Sequence, residues 1–69
     1  MKKKIFIEGM SCMNCVKHVK VALDEISGIS SVEVDLAHKF AIVEGDVQDS
    51  VIIDVLEEEE YEVTGIENL

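Results

Sequence analysis

The clearest signal in the chain is the change of hydrophobic period along it. Ile5 and Ile7 alternate with Lys4, Phe6 and Glu8, which predicts a strand over 2–8. A loop follows at Gly9-Met10-Ser11-Cys12-Met13-Asn14. The period then changes. Val16, Val19, Leu23 and Ile26 fall on one stripe of a helix spanning about 13–27, with Lys17, Lys20 and Asp24 opposite. Ser11 has the chemistry of its N-cap, and Gly28 stops it. Val32, Val34 and Leu36 alternate with Glu33 and Asp35 in a second strand over about 30–36. Ala37-His38-Lys39 turns it into a third strand through Phe40 and Ile42, ended by Gly45, so that the two form a hairpin. A second helix over about 49–59, capped by Asp46 or Asp49, carries Val51 or Ile52, Val55 and Leu56. Tyr61 and Val63 lead into a last strand ending near Ile66.

The order is strand, helix, strand, strand, helix, strand, with two halves of similar length. Right-handed crossovers then give a four-stranded antiparallel sheet with both helices on one face. This is an α+β class fold, a ferredoxin-like βαββαβ sandwich. No proline, linker or low-complexity stretch divides the 69 residues, so residues 1–69 read as a single domain.

Composition narrows the function. Hydrophobic residues make up 48%, enough for a core. Fifteen Asp and Glu against six Lys and Arg leave a net charge of −9. Nucleic acid and anionic membranes call for a basic face, so neither is an expected partner. No apolar run is long enough to cross a membrane. Lys2-Lys3-Lys4 imitates the start of an export signal, but Glu8 ends the apolar stretch after three residues, and the expected location is cytoplasmic.

Two cysteines, Cys12 and Cys15, stand three residues apart where the loop meets the helix. A bridge between them closes too small a loop to constrain the unfolded chain, so the pair reads as a chemical site. Unpaired amides at the helix start favour thiolate over thiol. Two soft thiolates suit a soft ion of low coordination number, and Cu(I) fits best. A closed zinc site takes four ligands, where this chain offers two. Three other readings stay open: a buried cysteine pair, a thioredoxin-like redox pair and half of a zinc-bridged dimer. Met10 reads as a core plug beneath the loop, with a third, thioether ligand as the alternative.

Gly9-Met10-Ser11-Cys12-x-x-Cys15, leaving a strand and opening a helix, resembles the signature of the heavy-metal-associated domain family. The resemblance spans essentially the whole chain. In length it is similar to the family's free-standing bacterial copper chaperones. It implies that Cys12 and Cys15 bind Cu(I), that Met10 packs under the site, and that the second helix leads into a loop beside it. That loop usually carries Gly-Tyr; here Tyr61 matches and Glu60 departs from the pattern. Zinc and cadmium members commonly place Asp before the first Cys. Ser11 carries no carboxylate, which favours copper over zinc, while Ag(I) shares copper's ligand preferences. The mercury-binding relatives typically begin with an export signal, and none is read here.

The resemblance implies transfer to the metal-binding domain of a copper-transporting P-type ATPase, with no catalysis. It also implies a monomer without metal and a copper-bridged dimer as a further state. Lys17 and Lys20 lie on the helix that docks in this family and are candidate partner contacts. The alternatives are a metal-binding domain of a heavy-metal P-type ATPase and a small thiol–disulfide redox protein. His18 reads as a surface residue, and His38 as far from the site. Glu57 to Glu60 read as a solvated face, or as a run that flanks the loop, steers recognition and raises the thiol pKa.

Overall fold

The computed structural model describes residues 1–69. The elements follow in the order β1 (Lys2–Glu8), α1 (Met13–Asp24), β2 (Ile29–Asp35), β3 (Phe40–Gly45), α2 (Asp49–Glu58) and β4 (Glu62–Asn68). The strands form one sheet in the order β2-β3-β1-β4, with every neighbouring pair antiparallel. This is the ferredoxin-like sandwich that the periodicity predicts.

Strand alternation makes the core. Ile5 and Ile7 of β1 face inward with Val32, Ala41 and Val43, and meet Val19 and Leu23 of α1 and Ile52 and Leu56 of α2. The even positions Lys4 and Phe6 take the outer face. There Phe6 lies opposite Phe40 across β1 and β3, and Lys4 Nζ sits 4.3 Å from the Phe40 ring centroid. No helix is long and apolar enough to cross a membrane.

Several boundaries differ from the sequence reading. α1 ends at Asp24 rather than near 27, because hydrogen bonds shift to i→i+3 spacing there: Ile26 donates to the Leu23 carbonyl at 3.1 Å. Ile26 still packs against the core from beyond the helix end. On α1, Ala22 joins Val19 and Leu23 in the buried stripe and Val16 is only half-buried. Gln48, not Asp46 or Asp49, is the N-cap of α2, and its side chain makes no cap hydrogen bond. Asp49 is instead drawn to Lys3 Nζ at 2.5 Å. On α2, Ile52 rather than Val51 is buried with Leu56. Tyr61 precedes β4, which runs on to Asn68.

The β2–α2 corner depends on a close backbone approach. A Cβ at Gly45 would lie 2.1 Å from the Gly28 carbonyl oxygen, so only glycine fits there. That carbonyl accepts the Asp46 amide at 3.0 Å.

Antiparallel pairing also fixes which loops share a pole. β1 runs toward Glu8, and β3 begins opposite Phe6. The hairpin turn that carries His38 therefore lies at the same end of the sheet as the Gly9–Asn14 loop, and the Ile7 amide donates to the Lys39 carbonyl at 3.0 Å. This corrects the expectation that His38 sits far from the site. The expectation followed sequence separation, whereas strand order decides proximity.

Candidate metal centre

The site is built by three backbone events at this pole. First, β1 ends at Glu8 and the chain turns at Gly9, where φ is +98°. A Cβ there would meet the Tyr61 ring only at ordinary contact distance, 3.5 Å, so it is the backbone angle that calls for glycine. Second, the turn sends Met10 inward, where it is buried in the core cluster, and leaves Ser11, Cys12, Met13 and Asn14 in solvent. Met10 is thus the core plug of the sequence reading. Third, α1 begins.

The N-cap of α1 is Cys12 rather than Ser11. Its φ of −152° is extended, and its carbonyl accepts the Val16 amide at 3.2 Å. Cys12 makes no side-chain cap bond, so the first-turn amides keep their donors and the helix start stays positive. Cys15 then stands at the third helical position. In a capping box that position carries a Glu or Gln side chain reaching back to the N-cap amide. Here Cys15 holds that position, and the backbone amide of Ser11 and, least of its neighbours, that of Cys12 favour its thiolate.

The two sulfurs lie 3.2 Å apart, with both cysteines free, Cys12 exposed and Cys15 half-buried. The Cys15 thiol is pulled down to about 6, by the Ser11 backbone amide first, then by the Cys12 thiol and the Tyr61 hydroxyl. The same contacts act in reverse on Tyr61. Burial first, and then the neighbouring Cys15, push its hydroxyl up to about 12, so it stays protonated and donates.

Tyr61 reaches this place through the end of α2. Its amide donates to the Leu56 carbonyl at 2.9 Å and the Glu60 amide to the Glu57 carbonyl at 3.0 Å. This pair of bonds is a Schellman motif with Glu60 at its left-handed position, φ 69°. Its hydrophobic partners, Leu56 and Tyr61, are both buried. The departure from glycine at position 60 therefore leaves the loop shape intact and stores backbone strain instead.

Ser11 is exposed and acts through its backbone amide. Lys17 and Lys20 are exposed on α1 but border different hollows. Lys20 faces the β2 side beside Glu33 and Asp35, and Lys17 faces the α2 side beside His18, Glu25 and Glu59. His18 is exposed, and His38 pairs with Asp35 at 3.0 Å while stacking on Phe40. The expectation that Glu57 to Glu60 raise the thiol pKa is overturned for Cys15. Its shift is downward and none of the four acids is among the causes. Exposed carboxylates are screened by water, while the Cys15 hydrogen bonds act at contact. Sequence reasoning missed that the Ser11 amide, one residue before the N-cap, acts most strongly on Cys15.

No group of three or more His, Cys, Asp or Glu side chains converges anywhere in the chain. The donor set is a pair of thiols at an electropositive helix start, suited to a soft ion of low coordination number rather than a closed tetrahedral zinc site.

Residues 4–62 match the model of a family described as the heavy-metal-associated domain. The copper chaperone CopZ of Bacillus subtilis is 37% identical over 65 residues, covering 90% of this chain and 94% of that protein. A mercuric reductase of Shewanella putrefaciens is 43% identical over 53 residues, but the match spans only 10% of that enzyme. Among solved structures, a CopZ metallochaperone superposes with a TM-score of 0.88 at 33% identity, over 93% of this chain and 100% of that one. A copper binding domain from a P-type ATPase superposes with a TM-score of 0.85 at 27% identity, over 99% and 100%.

Proposed function

Because the chain belongs to the heavy-metal-associated domain family, we propose that it is a copper chaperone, a cytoplasmic single-domain carrier with no catalytic role. Cys12 and Cys15 hold Cu(I) and pass it by ligand exchange to the metal-binding domain of a copper-transporting P-type ATPase. The observation that carries this reading is the thiol pair, 3.2 Å between sulfurs, one of them exposed and no third His, Cys, Asp or Glu converging on them. The near full-length likeness to copper chaperones supports copper as the cargo, and the likeness to an ATPase domain supports the partner. Silver(I) meets the same donors, while zinc lacks two of its usual four ligands.

Each residue has a role in the exchange. A linear S–metal–S unit places the ion between the two sulfurs and so holds them further apart than a direct thiol–thiol contact. The sulfurs therefore spread from their resting 3.2 Å, and the exposed Cys12 side chain is the one free to swing. Cys15 is half-buried, with the Ser11 amide and the Tyr61 hydroxyl favouring its thiolate, and acts as the anchor. An incoming thiolate from the partner forms a third metal–sulfur bond. The Cys12–metal bond then breaks and Cys12 takes up a proton; a second thiolate of the partner then bonds the metal, the Cys15–metal bond breaks, and Cys15 is left as the thiolate. Copper stays Cu(I) throughout and is never released. Met10 and Gly9 fix the loop, and Lys17 and Lys20 offer cations to the partner. Without metal the protein is a monomer; exposed paired thiolates also allow a copper-bridged dimer.

Anaerobic titration of the reduced protein with Cu(I) against a chromophoric chelator, beside Zn²⁺, tests this. One Cu(I) per chain, lost in Cys12→Ser, is expected. Weak Cu(I) binding, or tighter Zn²⁺ binding, overturns it. The 3.2 Å sulfur pair also favours a second reading, a thiol–disulfide redox protein. Turnover with a substrate disulfide would select that reading.

A further inference from the structure

A groove of about 380 Å³ runs between α1 and α2, and no residue of the cysteine loop lines it. Its floor is apolar: Ala22 and Ile26 on one side, Val51 and Val55 on the other. Val51 is 39% exposed, and Val21, on the flank toward the metal pole, is 57% exposed. The rim is Glu25, Glu58 and Glu59.

The monomer gains nothing from this arrangement. The ion pairs of the chain are Lys3–Asp49 and Asp35–His38; Lys17 borders the same flank as Glu25 and Glu59 but forms an ion pair with neither. Glu58 and Glu59 end α2, Glu25 ends α1, and neither helix has a basic residue in its last turn. Each carboxylate thus opposes the macrodipole of its own helix. Exposed valines and uncompensated acids together break local rules with no internal return, the pattern expected of a surface kept for binding.

We infer that this groove is a docking surface for a basic amphipathic helix of a partner protein, separate from the cysteine loop. Its apolar stripe seats between Val51 and Ile26, and its lysines or arginines meet Glu25, Glu58 and Glu59. Charge complementarity selects this occupant. A second copy of the chain would set the three acids against their own counterparts, and an anionic lipid surface would be repelled by them. Two helices with an apolar channel between them are a usual seat for a third. An occupant here leaves Cys12 and Cys15 in solvent. The inference does not depend on which metal the thiols carry.

The test uses the whole ¹⁵N-labelled chain and a synthetic 18-residue peptide, leucines on one helical face and lysines elsewhere. The control is a scrambled peptide of the same composition. Saturable amide shifts are expected at Ala22, Ile26, Val51 and Val55, with the Cys12 and Cys15 amides unmoved. The scrambled peptide should bind at least tenfold more weakly. A triple variant, Glu25→Gln, Glu58→Gln and Glu59→Gln, and separately Val51→Asn, should each weaken binding at least tenfold. Both should keep the wild-type spectrum elsewhere and hold metal as before against the chelator, which separates this result from the copper reading. Equal binding of the scrambled peptide, shifts spread over the acidic surface, or undiminished binding by the triple variant overturns the inference. So does concentration-dependent self-association that moves the same four amides, since the occupant is then a second copy.

Discussion

Leu56 and Tyr61 are joined twice, by the Tyr61 amide donating to the Leu56 carbonyl at 2.9 Å and by burial of both side chains in the core. This single relationship ends α2 and sets the tyrosine hydroxyl against Cys15. The residue between helix end and tyrosine, Glu60, bears the cost in a left-handed conformation. Relief of that strain exceeds the extra chain entropy of glycine, so Glu60→Gly should stabilise the fold by about 1 kcal/mol. In a domain this small, thermal unfolding should show a rise of about 4–8 °C in midpoint. Copper stoichiometry should not change. A midpoint at or below that of the wild type would refute the strain argument.

Cys15 titrates near 6, well below the ordinary value of 9.0. Its reaction with iodoacetamide should therefore have a pH midpoint near 6. Tyr61→Phe removes one of the hydrogen bonds that favour the thiolate and should move the midpoint upward. For stability the sign is that of a depressed acid. The contribution is complete above pH 9 and declines as pH falls toward 6. Denaturant melts of the reduced protein between these values should follow that slope, and a flat profile would count against it.

Lys3 is buried with its side chain 10% exposed and is paired to Asp49 at 2.5 Å, whereas Asp49 is about half exposed. The two substitutions should therefore differ. Asp49→Asn strands a buried ammonium and should cost about 2–4 kcal/mol. Lys3→Met replaces the charge with an apolar chain of similar length and should fall within about 1 kcal/mol of the wild type. Urea melts of the two variants read this directly. Equal losses would mean that the pair is symmetric.

Met10 is buried in the core under the loop. Met10→Leu keeps the volume and should cost less than about 1.5 kcal/mol, with copper retained against the chelator. Met10→Ala should cost about 2–5 kcal/mol. Loss of copper affinity in the leucine variant, with its fold intact, would make the thioether a ligand after all.

The αL strain at Glu60 and the role of Tyr61 show where sequence stops being readable. A βαββαβ order is legible because its periods are local. Ile5 and Ile7 declare a strand, and Val19 and Leu23 a helix, before any partner is known. The thiol pair is legible because its spacing is short. Exact caps are less so. Ser11 and Asp49 have good capping chemistry, yet Cys12 and Gln48 hold those positions, and the Asp49 carboxylate is drawn instead to Lys3, 46 residues away.

The sequence by itself determined the fold class, the soft-donor pair and the inward place of Met10, each through contacts within a few residues. Tertiary structure decided what depends on pairing across the chain. Strand order brought the His38 turn to the metal pole, and the end of α2 set Tyr61 against Cys15. The facing of α1 and α2 made a groove from residues about 30 positions apart. Hydrogen bonds and screened charges act over a few ångströms, so the strength of each effect on Cys15 follows distance in space, which no local period encodes.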